Sequence, residues 1–182
     1  MSVPPLRVLY LCTANVSRSP FLEAYTRAVA GGAVAATSAG THAQPGAAID
    51  PAMVPELMRR DLDVPDGGSR LFEPALCDQA DLVLTASAQH RNFVLDDRPT
   101  AVRKVYTVGQ FAATLERWSA IGGASGSLRL GDLAGYRAAD SEAHNLADPY
   151  GLGAAVAAAS AERMTGLLDR IIPVLVGARA DS

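Results

Sequence analysis

Leu6-Arg-Val-Leu-Tyr-Leu-Cys12-Thr-Ala-Asn-Val-Ser-Arg18-Ser-Pro20-Phe-Leu-Glu-Ala-Tyr25 decides the fold. The apolar run from Leu6 to Leu11 reads as a buried strand. The stretch from Pro20 reads as the first turns of a helix, because the missing N–H of proline costs nothing there. A strand, a tight loop and a helix start gather backbone N–H groups around one point, which is an anion site. Cys12 stands at the entrance of that loop and Arg18 at its exit.

Those two residue types suit phosphoryl chemistry. The thiolate is the nucleophilic form of cysteine, and N–H groups with a guanidinium favour it. The same donors hold the oxygens of a phosphoryl group, and arginine gives two parallel hydrogen bonds where lysine gives a point charge. Attack by Cys12 on phosphorus produces a phosphocysteine intermediate. The N–H groups of Thr13, Ala14, Asn15, Val16, Ser17 and Arg18 are the expected phosphate donors. Asn15 tolerates a left-handed backbone in such a loop. Ser19 serves either as a helix cap or as a hydroxyl donor to the thiolate.

Departure of a leaving group needs a proton, and a carboxylic acid beside the loop supplies it. Leu146-Ala-Asp148-Pro149-Tyr150-Gly151 is the candidate. Pro149 restricts Asp148 to an extended backbone, Tyr150 offers an aromatic wall, and Gly151 permits a sharp exit before an alanine-rich helix. Taken alone, Asp-Pro and Tyr-Gly are also common turn words.

The chain resembles the low-molecular-weight protein tyrosine phosphatases. The resemblance rests on Cys12-x5-Arg18-Ser19-Pro20 near one end and Asp148-Pro149-Tyr150 near the other. Between them, Thr37-Ser-Ala-Gly-Thr41 is similar to the family's second strand and turn. Asp81-Leu-Val-Leu-Thr-Ala86 with Gln89-His90-Arg91 is similar to its third strand and following helix. The resemblance implies Cys12 as nucleophile, residues 13 to 18 as the phosphate loop and Ser19 as support for the thiolate. It implies Asp148 as general acid and then base, and Tyr150 as the entrance wall that stacks on a phenyl ring. His42 falls in the loop that lines the other side of the pocket in that family. Three departures stand out: Ala14 where many members have Gly, Ser17 where many have a second, protective Cys, and Gly67-Gly68-Ser69-Arg70 where a loop-bracing His is usual.

The expected fold is α/β: one three-layer domain over residues 1–182, a four-stranded parallel sheet with helices on both faces, and the phosphate loop after the first strand. Strands are expected at 6–11, 33–39, 81–86 and 103–108, and helices at 19–30, 51–61, 87–97, 109–119 and from 154 to 172 or later. Val156, Met164, Leu167, Leu168, Ile171 and Ile172 are expected on one buried face of the last helix. Ile121-Gly-Gly-Ala-Ser-Gly-Ser127 has a flexible-loop composition, so 119–145 is expected to be a flexible insertion, either a lid or a tolerated surface loop.

Composition narrows the function further. The chain has 182 residues, a net charge of −3 and two cysteines. That charge gives no general attraction to nucleic acid or anionic membrane. Two cysteines make no disulfide scaffold, and a nucleophilic Cys12 needs a reduced, cytoplasmic setting. No signal peptide or apolar run long enough to span a bilayer is read. Lys104 is the only lysine, and with the alanine richness this matches a GC-rich bacterial genome. His42, His90 and His144 show no ligand spacing, so neither metal nor cofactor is expected. Cys77 reads as a small apolar core residue on a short helix or turn. Glu23, in the first helix, reads as company for the helix dipole.

The expected partner is a phosphotyrosine-containing protein, with a bacterial tyrosine kinase as one candidate. Phosphate and vanadate are expected as site ligands, and the chain as a monomer or weak dimer. Two other functions stay open. One is an arsenate reductase or arsenate–thiol transferase on the same loop. The other is a non-catalytic phosphotyrosine-binding protein.

Overall fold

The computed structural model describes residues 4–120 and 128–178. Four strands, β1 (Leu6–Cys12), β2 (Val34–Gly40), β3 (Leu82–Thr85) and β4 (Val105–Thr107), form one parallel sheet in the order β2-β1-β3-β4. Leu11 pairs with Ala39 on one side and with Thr85 on the other. The order reverses at β1, where the chain leaves β2 and crosses to β3. Ligands of open parallel sheets sit at such a point, beyond the carboxyl ends of the strands. Cys12 is the last residue of β1.

Alternation along the strands divides the core between two faces. Val8, Tyr10 and Cys12 belong to one buried cluster, with Leu82 and Leu84. Leu9, Leu11 and Val83 belong to the other. The first face is covered by α1 (Arg18–Ala30), α5 (Val108–Ala120) and α6 (Ala154–Gly177), with the short α2 (Val54–Met58) beside α6. The second is covered by α3 (Pro74–Gln79) and α4 (Ala88–Asp97). Strands buried on both faces read as near-continuous apolar runs, as the central β1 and β3 do, whereas the edge strand β2 alternates buried and exposed residues at its start.

Local differences from the expected elements have physical causes. The helix expected at 51–61 is regular only over Val54–Met58, and it ends near Asp61, which sits at φ +53. The last strand is shortened to Val105–Thr107 because a 3-10 turn over Pro99–Arg103 precedes it and α5 follows at once. Cys77 lies on α3, fully buried. On α6, Val156 is 37% exposed and is not part of the buried face. Ala157 and Ala161 take that role, four residues apart and fully buried, where their small side chains admit the neighbouring helix α1.

Of the expected flexible insertion at 119–145, the glycine-rich stretch 121–127 lies outside the described residues. From Leu128 onward the segment is fastened to the domain. Leu128, Leu130 and Leu133 are buried. Gln110 Nε2 donates to the Ala138 carbonyl (2.9 Å), and the Ala138 N–H donates to Thr114 Oγ1 (3.0 Å). The Arg137 guanidinium lies 3.6 Å from the Tyr106 ring centroid.

Candidate active site

The loop from Thr13 to Ser17 joins β1 to α1 and wraps the amino end of that helix. Asn15 takes φ +55, the left-handed conformation that its side chain tolerates. Ala14 does not: among the described residues the non-glycine positions with positive φ are Asn15 and Asp61, so alanine fits where the resemblance leads one to expect glycine. Among the described residues, no backbone carbonyl accepts the N–H groups of residues 13–17. Five donors of one short loop are therefore free to take an anion, reinforced by the positive end of α1.

Cys12 Sγ lies 2.9 Å from Ser19 Oγ. Ser19 is inside α1 rather than at its cap, so its side chain turns back toward the sulfur. Behind it runs a chain of oriented hydrogen bonds. Glu23 is buried, and Ser38 Oγ donates to its Oε2 (2.6 Å). Asn15 Nδ2 then donates to Ser38 Oγ (2.8 Å) and to Ser19 Oγ (2.9 Å). Asn15 Oδ1 accepts from the Arg70 N–H (2.8 Å). With the Glu23 carboxylate accepting, the Ser38 hydroxyl has its donor direction set, and the Ser19 proton is left for either Cys12 Sγ (2.9 Å) or the Ala39 carbonyl (3.3 Å). Burial pushes the Glu23 carboxyl above its ordinary range, against the Ser38 hydrogen bond and the Arg27 charge, which pull it down. The histidine brace expected from the resemblance is thus replaced by the backbone of Arg70. Gly40 makes room for this packing: a Cβ there would stand 2.5 Å from the Thr13 carbonyl and 2.8 Å from the Asn15 nitrogen.

Arg18 and Asp148, 130 residues apart, meet at 2.7 Å through Nη2 and Oδ2. The Arg18 side chain is 6% exposed and that of Asp148 is 49%. Arg18 Nη1 donates to the Leu146 carbonyl (3.1 Å), which fixes the plane of the guanidinium. Arg18 Nε is buried with no acceptor among the described residues, one more donor available to an anion. The segment before Asp148 is pinned to the end of β3: the Leu146 N–H donates to the Ala86 carbonyl (2.7 Å), and Asn145 Oδ1 accepts from the Ala88 N–H (2.9 Å). Tyr150 is 62% exposed, and its N–H closes a turn onto Asp148 Oδ1 (3.2 Å). Gly151 follows at φ +72.

Other expected residues fall around this centre. The His42 N–H donates to the Thr13 carbonyl (2.8 Å), and its exposed ring stands 5.6 Å from that of Phe93. Ser17 Oγ donates to Asp50 Oδ2 (3.2 Å). Val16 is buried. His90, which its sequence spacing leaves without a role, lies with Nε2 at 2.9 Å from Thr13 Oγ1 and Nδ1 at 2.7 Å from Ser87 Oγ. Ser38 and His90 lie in stretches that carry the resemblance, but their bonds, like those of Glu23, are set only by the fold.

Comparison with known proteins agrees with this geometry. A curated protein-arginine-phosphatase of Bacillus subtilis (strain 168) is 31% identical over 107 residues, covering 57% of this chain and 71% of that protein. An arsenate reductase of Bacillus cereus is 30% identical over 99 residues, covering 54% and 71%. The solved low molecular weight protein tyrosine phosphatase of T. tengcongensis superposes with a TM-score of 0.71 at 26% identity, covering 92% of this chain and 98% of that one. Residues 7–120 match the sequence model of the low molecular weight phosphotyrosine protein phosphatases, and the chain belongs to that family.

Proposed function

We propose that the chain is a protein-tyrosine phosphatase working through a phosphocysteine intermediate. The observation that carries the reading is the meeting of Cys12, Arg18 and Asp148 around one loop of unengaged N–H groups. In the first step Cys12 sulfur attacks phosphorus, the S–P bond forms, and the P–O bond to the leaving group breaks. Asp148 gives its proton to the departing phenolic oxygen. Arg18 and the N–H groups of residues 13–18 hold the phosphoryl oxygens as charge develops on them. In the second step Asp148 takes a proton from water, which attacks phosphorus, and the S–P bond breaks to release inorganic phosphate and the thiolate. The Ser19 hydroxyl stabilises sulfur as leaving group.

Tyr150 and His42 form the entrance and contact the substrate side chain. A phosphotyrosine-bearing protein, such as a bacterial tyrosine kinase, is the substrate class, and a reducing cytoplasm is the setting for the Cys12 thiolate. No helix among the described residues is long and apolar enough to cross a membrane. We further take residues 1–182 as one phosphatase domain.

Phosphoarginine is the second reading, supported by the likeness to a protein-arginine-phosphatase. The same three residues serve, with the proton of Asp148 going to the leaving guanidine nitrogen. Arsenate reduction through a second protein thiol is disfavoured. Cys12 and Cys77 pack in the cores on opposite faces of the sheet.

Hydrolysis of para-nitrophenyl phosphate, a phosphotyrosine peptide and a phosphoarginine peptide by the wild type and Cys12→Ser tests the reading. Turnover of the phosphotyrosine peptide that vanishes in Cys12→Ser supports it. Preference for the phosphoarginine peptide moves the substrate class, and no turnover by the folded wild type overturns the phosphatase.

A further inference from the structure

We propose that His90 is a positioning residue that makes the Thr13 hydroxyl an obligate hydrogen-bond donor to the phosphoryl group. This rests on the phosphatase reading for its catalytic consequence, but not for its geometry.

The argument follows the protons. Ser87 caps α4, and its Oγ accepts from the His90 N–H (3.5 Å). Ser87 Oγ and His90 Nδ1 lie 2.7 Å apart, and the serine is assigned as the donor because its oxygen already accepts from the His90 N–H. With Nδ1 as acceptor, a neutral imidazole carries its hydrogen on Nε2. Nε2–H points at Thr13 Oγ1, 2.9 Å away. Thr13 Oγ1 also stands 3.4 Å from Arg18 Nη2, which can only donate. Both neighbours of this oxygen are donors, and its own proton finds no acceptor among the described side chains. It is aimed at whatever anion the loop holds. Arg18 Nη2 touches Asp148 as well as Thr13, so the hydroxyl shares the guanidinium edge that faces the general acid.

The tautomer decides this: a neutral ring with its hydrogen on Nδ1 would present a lone pair to Thr13, whereas Nε2–H donates in the other tautomer and in the cation alike. His90 is buried, and burial with the neighbouring Arg18 and His42 charges holds it down to about 4, while Asp148 acts the other way. The ring is therefore neutral through the range in which a cysteine phosphatase works.

The test measures binding of inorganic phosphate by calorimetry to the full chain, for wild type, Thr13→Val, His90→Phe, His90→Gln and the double variant Thr13→Val/His90→Phe. Loss of a hydrogen bond to a charged group predicts a ~10- to 100-fold weaker dissociation constant for Thr13→Val and for His90→Phe. The double variant should be no weaker than the weaker single, because His90 acts through Thr13. His90→Gln, whose amide N–H reaches the Nε2 position, should restore most of the affinity. Effects of the two singles that multiply in the double, or wild-type affinity in Thr13→Val, would overturn the proposal. The ring 15N shifts of wild-type His90 read the tautomer directly, so Nδ1–H would overturn it even where His90→Phe fails to fold. A wild type that shows this coupling for phosphate yet hydrolyses no phosphomonoester would leave the inference standing and remove the phosphatase reading.

Discussion

At the scale of single residues the site is a set of proton positions. Asp148 is half exposed and aligned by Arg18, the placement that the proposed general acid needs. Asp148→Asn is expected to slow phosphotyrosine-peptide hydrolysis by ~10²–10⁴. It should slow aryl phosphates with good leaving groups much less. An equal loss on both substrates in steady-state kinetics would remove Asp148 from the role. Oxidation is decided at this scale too. Ser17 offers no partner thiol to Cys12, and Cys77 packs beyond the sheet. Peroxide should therefore drive Cys12 to sulfinic and sulfonic acids, visible by mass spectrometry, with little recovery in dithiothreitol. Full recovery that disappears in Cys77→Ala would contradict this. Cys12, Arg18, Asn15 and Ser19 were readable because they crowd one short loop, where spacing carries the geometry. Glu23 was read as dipole company, and Ser38 and His90 only as parts of stretches similar to the family, with no bond to the loop expected of any of them. Their bonds to the loop span 15 residues (Ser38 to Glu23), 23 (Asn15 to Ser38) and 77 (Thr13 to His90). No periodicity records such pairings.

At the scale of elements, the carboxyl ends of β1 and β2 must approach closely enough for the phosphate loop to fold over the sheet edge. Gly40 ends β2 opposite Cys12 in the register, and its missing Cβ admits the backbone of Thr13 to Asn15. Gly40→Ala would press a methyl against three backbone atoms, of Thr13, Ala14 and Asn15, that no rotamer change can move. We expect a loss of about 1–3 kcal/mol in urea unfolding, the usual cost of overpacking. It should be accompanied by a fall in kcat/KM at least as large as that of a stability-matched core variant away from the loop. Unaltered kinetics would mean that the loop does not depend on this contact. The strands were legible because each is apolar and bounded by turn residues. The long helices were legible because their apolar positions recur at helical spacing. The region between β2 and β3 was less so. There α2 is only five residues long and α3 six, too short for a helical period to show. The face of α6 was partly misjudged because Ala157 and Ala161, not Val156, are the buried residues of its first turns.

At the scale of the whole molecule, the site joins the two ends of the chain, and its paired motifs made the family legible before any contact was known. The same closure makes stability depend on pH through His90. Its folded value is held down to about 4, below its ordinary 6.5. Between these values the unfolded chain binds a proton that the folded one does not. The stability His90 confers is complete above about pH 6.5 and is lost as pH falls toward 4. Glu23 runs the other way: its raised folded value adds stability at low pH that is lost as pH rises through that value. Asp81 comes in lower still. Burial pulls its carboxyl up, but hydrogen bonds from Arg7 hold it below its ordinary value, so its contribution is lost only in stronger acid. The wild-type profile mixes these signs, and the difference between the wild type and His90→Phe isolates one of them. In urea unfolding at pH 7.5 and pH 5, the advantage of the wild type over His90→Phe should shrink at the lower pH, because only the wild type carries the cost of a neutral buried imidazole. An advantage that stays constant would mean that His90 takes up its proton in the fold as readily as in the unfolded chain, so that burial does not hold the ring neutral.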